Sequence, residues 1–106
     1  MDHIELWDKA KALMREELAN VSYTTWIEQP LKPVYVVDDK LALEVISDFN
    51  EKTIRARYLP MITEAVSQAA GREMTIELMS VKERIEWQER QKKEDAPAMQ
   101  GINMFN

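Results

Sequence analysis

The chain has 106 residues, 19 acidic and 14 basic, for a net charge of −5 with its single histidine neutral. That length holds one small domain, or a smaller domain and a tail. It has no cysteine and only two glycines, which excludes a disulfide framework, a zinc–thiolate centre, a thiol nucleophile and a Gly-rich phosphate loop.

Asp2-His3-Ile4-Glu5 has the spacing of a capping box. Leu6, Trp7, Ala10, Leu13, Met14 and Leu18 come after it at helical intervals, predicting a helix over 3–19. Asn20-Val21-Ser22 breaks it. Ser22 then serves as N-cap for a short helix carrying Tyr23, Trp26 and Ile27, which Pro30 ends.

Leu31 to Val37 is β-branched and aromatic, with Pro33 forcing an irregular or edge position. Leu41, Leu43 and Val45 alternate with Ala42 and Glu44, and Asp38-Asp39 lies between the runs. This is the pattern of a hairpin. A long helix opens at Ser47-Asp48, with Asp48-x-x-Glu51 again at capping-box spacing. Its stripe is Ile54, Tyr58, Met61, Ile62, Ala65 and Ala69. Pro60 predicts a kink or restart near Tyr58–Leu59. Gly71 stops the helix. Met74, Ile76 and Leu78 form a third strand, with Glu44, Thr75 and Glu77 on the wetter sheet face.

From Lys82 the composition turns polar. Residues 82–95 carry five basic and five acidic side chains, so residues 1–81 hold the whole −5. We therefore divide the chain into a domain over 1–81 and a flexible polar linker or tail over 82–106. At the start of that tail, Val81, Ile85 and Glu89 hint at a frayed helical extension. Trp87 reads as solvated, and Ile102-Met104-Phe105 reads as a short linear motif or a bare chain end. The order α-α-β-β-α-β gives an α+β fold, a three-stranded sheet with helices packed on one face.

Nothing in this pattern forms an active site. His3 stands alone at a helix start, without a nucleophile or metal partner at a useful spacing. Asp38-Asp39 is a turn, too few ligands for a hard cation. The expectation is a non-enzyme with no cofactor and no metal. No apolar run approaches the roughly 18 residues of a membrane span. The first residues lack the basic-then-apolar plan of a signal peptide. A cytoplasmic domain is expected, without membrane contact.

Four features are candidate contacts. Trp26, flanked by Tyr23 and Ile27, is one of them, with core the stronger reading. Trp7 is either core or a self-association anchor. Phe49 falls nearly opposite the buried stripe at about 100° per residue, so it is either a staple against the preceding strand or an exposed contact. Lys52, Arg55 and Arg57 make a basic patch on an acidic domain.

Leu6-Trp7, Ser22-Tyr23-x-x-Trp26-Ile27, Leu41-x-Leu43, Phe49, Arg57-Tyr58-Leu59-x-x-Ile62 and Met74-Thr75-Ile76-Glu77-Leu78 together resemble a known family over about residues 3–81. It is the N-terminal domain (domain I) of the bacterial chromosomal replication initiators, DnaA. The resemblance implies a K-homology-like fold and a role in protein contact. The implied partners are a second initiator (a weak homodimer), the replicative DNA helicase and replication initiation regulators, with weak single-stranded DNA binding besides. Leu6 and Trp7 match the self-association position. Ser22, Ser47, Phe49 and Asn50 match the partner-docking surface. Lys52, Arg55 and Arg57 are the candidate single-stranded DNA contacts. Ser22 replaces a glutamate of some family members, Ser47 replaces a frequent asparagine, and Pro60 interrupts the long helix.

No phosphate loop or helix-turn-helix reader occurs in these 106 residues. The expectation is a fragment of an initiator or a free-standing copy of its interaction domain that competes for the initiator's partners as a regulator. The competing reading is a single-stranded nucleic-acid binder of K-homology type. That type clamps the backbone with a GXXG loop, and only Gly71 falls within 1–81.

Overall fold

The computed structural model describes residues 1–95. The expected linear motif at Ile102-Met104-Phe105 lies outside the described residues.

Helix α1 spans His3–Glu17. The Asp2 carboxylate accepts from the Glu5 N–H at 2.8 Å, and Glu5 reaches back to the Asp2 N–H at 3.4 Å. Leu6, Trp7, Ala10 and Met14 are its buried face. Helix α2, Asn20–Tyr23, runs on into a π-helical turn, Thr24–Glu28. It starts two residues before Ser22 and has no side-chain cap, so Ser22 lies inside the helix and not at its N-cap. The wider π-helical turn re-aims the side chains it carries. Trp26 is thereby only half-buried against the core, not enclosed in it as expected.

Strands β1 (Leu31–Val37) and β2 (Lys40–Val45) pair antiparallel, with a register shift between Pro33 and Tyr35. The irregularity falls where proline cannot donate a ladder hydrogen bond. The turn between them rests on Asp38, which has φ 54°, a left-handed backbone that aspartate tolerates. Arg72 secures it from across the fold, donating to Asp39 Oδ1 at 2.9 Å and to the Asp38 carbonyl at 2.7 Å.

Helix α3 (Asp48–Thr53), a second π-helical turn (Ile54–Tyr58) and helix α4 (Leu59–Ala70) run on as one rod. Pro60 sits in the first turn of α4, where its missing N–H costs nothing. The expected restart is therefore a π-helical turn and then a new helix. Gly71 caps α4 with φ 74°. Strand β3, Thr75–Met79, returns parallel to β2, giving the sheet order β1-β2-β3.

Leu31, Leu41, Leu43, Val45 and Leu78 form the inner sheet face. They pack with Leu6, Trp7, Ala10 and Met14 of α1 and Ile62, Ala65 and Val66 of α4. Fully burying a leucine or isoleucine contributes roughly 1.5–3 kcal/mol, and this layer is the main source of stability.

The second sheet face is not open. Helix α5, Val81–Asp95, folds back over it. Its Trp87 stacks on Tyr35 with ring centroids 4.7 Å apart. Its Arg84 pairs with Glu44 at 3.0 Å. The stretch expected as a flexible polar tail thus begins as a helix, and Trp87 is half-buried rather than solvated.

A candidate docking surface around Phe49

Ser47 ends the chain's run out of β2 and starts α3. Its Oγ accepts from the Asn50 N–H at 3.1 Å, and its hydroxyl donates to Asn50 Oδ1 at 2.6 Å. The cap is therefore Ser47 with Asn50, one residue earlier than the expected Asp48–Glu51 pair. Both candidate docking residues hold the helix start. This leaves Phe49 in the first turn, pointing outward and 70% exposed. Of the two readings of Phe49, the structure takes the exposed one.

Phe49 does not stand alone. Its ring lies 6.1 Å from Trp26, tilted at 45°. Trp26 stacks in turn on Tyr58 at 6.1 Å and 20°. The two π-helical turns meet here, one carrying Trp26 and the other ending on Tyr58. An exposed phenylalanine thus rests beside a half-buried aromatic platform. Nearby in sequence, Ile46 is 63% exposed, its N–H held by the Pro30 carbonyl at 3.0 Å. An exposed aromatic beside such a platform marks a contact surface. Trp26, Tyr58 and Ile46 were not among the residues assigned to the surface from sequence. Ile46 extends the apolar run of β2 by one residue, and that extra apolar position was the available signal.

Ser22 is half-buried within α2, four residues before Trp26. Leu6 and Trp7 are 2% and 1% exposed. The self-association reading required an accessible tryptophan, and the structure instead places both side chains in the core. Trp7 Nε1 has no hydrogen-bond acceptor among the described residues.

Lys52, Arg55 and Arg57 are all exposed. Lys52 and Arg55 share an open depression of about 510 Å³ with Asp48, Glu51 and Ala56. Arg55 is paired to Glu51 at 2.8 Å. Arg57 is not part of this depression. The patch is therefore charge-mixed, with carboxylates between the cations. A neighbouring groove of about 580 Å³ runs from Asp48, Glu51 and Arg55 to Lys82, Glu83 and Glu86 at the start of α5.

Two ionic clusters lie elsewhere. The Tyr23 hydroxyl accepts from Arg15 at 3.0 Å and donates to Glu28 at 2.9 Å. That hydrogen bond from Tyr23 holds the Glu28 carboxyl below its usual range, and burial pushes the Tyr23 hydroxyl up. On the second sheet face, Lys40 pairs with Glu77 at 3.0 Å while the Tyr35 hydroxyl donates to the same carboxylate at 2.9 Å. Lys40, then Tyr35, lower the Glu77 carboxyl. Among the described residues no three His, Asp or Glu side chains gather as metal ligands. No described helix is long and apolar enough to cross a membrane.

The fold and this surface define a class: a small α+β domain with a mixed three-stranded sheet and a solvent-facing aromatic cluster at a helix start. The chain belongs to the DnaA N-terminal domain family, which matches residues 4–68. It is similar to the chromosomal replication initiator protein DnaA of Thermoanaerobacter sp. (strain X514), 32% identical over 79 residues, 74% of this chain and 18% of that protein. The DnaA of Citrifermentans bemidjiense is 36% identical over 81 residues, 76% of this chain and 18% of that protein. The DnaA of Geobacter sp. (strain M21) is 38% identical over 72 residues, 68% of this chain and 15% of that protein. The chain thus spans less than a fifth of the length of these relatives.

Proposed function

We propose that this domain is a non-catalytic, cytoplasmic protein-docking module of bacterial replication initiation. Its partners are the replicative DNA helicase and replication initiation regulators, with weak self-association of initiators besides. The observation that carries this reading is Phe49, 70% exposed against the Trp26 platform. Phe49 is the anchor that enters a partner pocket. Ser47 and Asn50 fix the turn that presents it, and Trp26 and Tyr58 support its inner side. Self-association uses the exposed side of α1, where Ile4 is 54% exposed, with Leu6 and Trp7 holding that helix from within.

The test is binding of the full chain to purified helicase and initiator by calorimetry. Truncating an aromatic anchor typically costs ~2 kcal/mol or more, so Phe49→Ala is expected to weaken binding at least about 30-fold. Its melting temperature should stay within a degree or two of the parent. Unchanged binding sinks the docking role of Phe49. A melting temperature many degrees lower shows instead that the residue stabilises the fold.

A further inference from the structure

We propose that α5 is a releasable strap: seated, it covers the second face of the sheet, and released, it uncovers that face and lengthens the chain beyond β3. The strap is independent of the docking partner and depends on how α5 is fastened.

One residue, Ser80, separates β3 from α5. It forms a complete capping box, its Oγ accepting from the Glu83 N–H at 3.0 Å and its own N–H donating to Glu83 at 2.8 Å. The helix start is thus set locally, without the sheet. Two side chains of α5 then fasten it to the sheet. Arg84 donates to Glu44 at 3.0 Å, where the Glu44 side chain is only 12% exposed. Trp87 stacks on Tyr35 at 4.7 Å. Arg84 also donates to Gln88 at 2.8 Å, one turn along the helix, which aligns its guanidinium.

The remaining apolar groups of α5 are only partly covered. Val81 is 37% exposed and Ile85 43% exposed. No residue of α5 belongs to the main core. An isolated helix of 15 residues is marginal in water, so α5 depends on its contacts with the sheet to stay folded. Beneath it lie Ala42, 0% exposed, and Met79, 5% exposed, flanked by Tyr35 and Glu44. Residues 41, 43 and 78 face the opposite way into the main core, so the sheet does not depend on α5 for its principal packing. Release converts a folded-back helix into as much as about 50 Å of extended chain.

Hydrogen–deuterium exchange of the full chain, measured residue by residue, tests this. In the parent protein, α5 amides are expected to exchange at least a hundredfold faster than those of Leu41 and Leu43. This difference is the signature of local opening. In Trp87→Ala, α5 exchange should rise at least a further tenfold while Leu41 and Leu43 change less than threefold. Equal protection of α5 and β2 in the parent overturns the proposal, because α5 then opens only when the domain unfolds. Unchanged α5 exchange in Trp87→Ala, or an equal rise in α5 and β2, overturns it as well. The parent measurement decides even where the variant folds poorly.

Discussion

At the scale of single residues, side chains read as contacts divide into three roles. Phe49 is free to bind, Ser47 and Asn50 are occupied in a cap, and Leu6 and Trp7 are core. Large-to-small changes of a buried tryptophan cost about 3–5 kcal/mol. Trp7→Ala should therefore lower the denaturation midpoint severely, and any loss of self-association in that variant should track the loss of folded protein. Trp7→Phe should cost clearly less, since it also removes an indole N–H that has no acceptor. Ser47→Ala is expected to cost about 1 kcal/mol as a lost N-cap. Urea titrations of the three variants check both points. Trp7 and Phe49 show why such roles are hard to read from sequence. Periodicity placed Phe49 off the stripe but left a staple and an exposed contact both open, and it left Trp7 beside the stripe; in both cases only the packed structure decides.

At the scale of elements, the strands, α1 and the glycine stop were legible because each rests on a local rule. Period-two alternation marked β2, a capping box marked α1, and a positive φ after α4 called for Gly71. Adding a Cβ at Gly71 meets no atom within 4 Å, so only the backbone conformation opposes it. Gly71→Ala should cost roughly 1 kcal/mol, with no change in far-UV circular dichroism beyond the lower melting temperature. The two π-helical turns were not legible, since an inserted residue leaves composition and hydrophobicity almost unchanged. Helix α5 is only hinted at by Val81, Ile85 and Glu89, for another reason. Ser80-x-x-Glu83 has the same kind of spacing that announced α1, but the charged stretch behind it lacks an apolar stripe. Its seat depends on two partners, Glu44 and Tyr35, that lie about 40 residues or more away in sequence.

At the scale of the whole molecule, two ionic clusters join separate elements. Arg15, Tyr23, Glu28 and Lys11 tie α1 to the first π-helical turn, and Lys40, Glu77 and Tyr35 tie the three strands together. Glu28 and Glu77 both titrate below the ordinary glutamate value of 4.5. Between the lowered and ordinary values the unfolded chain binds more protons than the folded one. Their contribution is therefore complete above pH 4.5 and is lost as the pH falls through the lowered values. It is modest, because both carboxylates are more than a third exposed. Glu77→Gln should flatten the acid fall of the melting temperature while leaving a smaller fall due to Glu28. The mixed-charge depression at Lys52 and Arg55 makes a further expectation. Any binding to single-stranded DNA should weaken steeply between about 50 and 200 mM salt, whereas docking through Phe49 should change little over the same range.

The two π-helical turns carry a consequence for how this surface tolerates change in chain length. Each holds one more residue per turn than an α-helix and can be converted to regular helix by deleting a single residue. Such a deletion in Thr24–Glu28 leaves the flanking helical segments in phase, because the extra residue is taken up within the wide turn itself, but it removes the local widening that aims Trp26. Trp26 then leaves Tyr58, and Phe49 loses its neighbour. The aromatic cluster is thus fixed by residue count as much as by residue identity. Single-residue deletions here should damage binding more than most substitutions at the same positions.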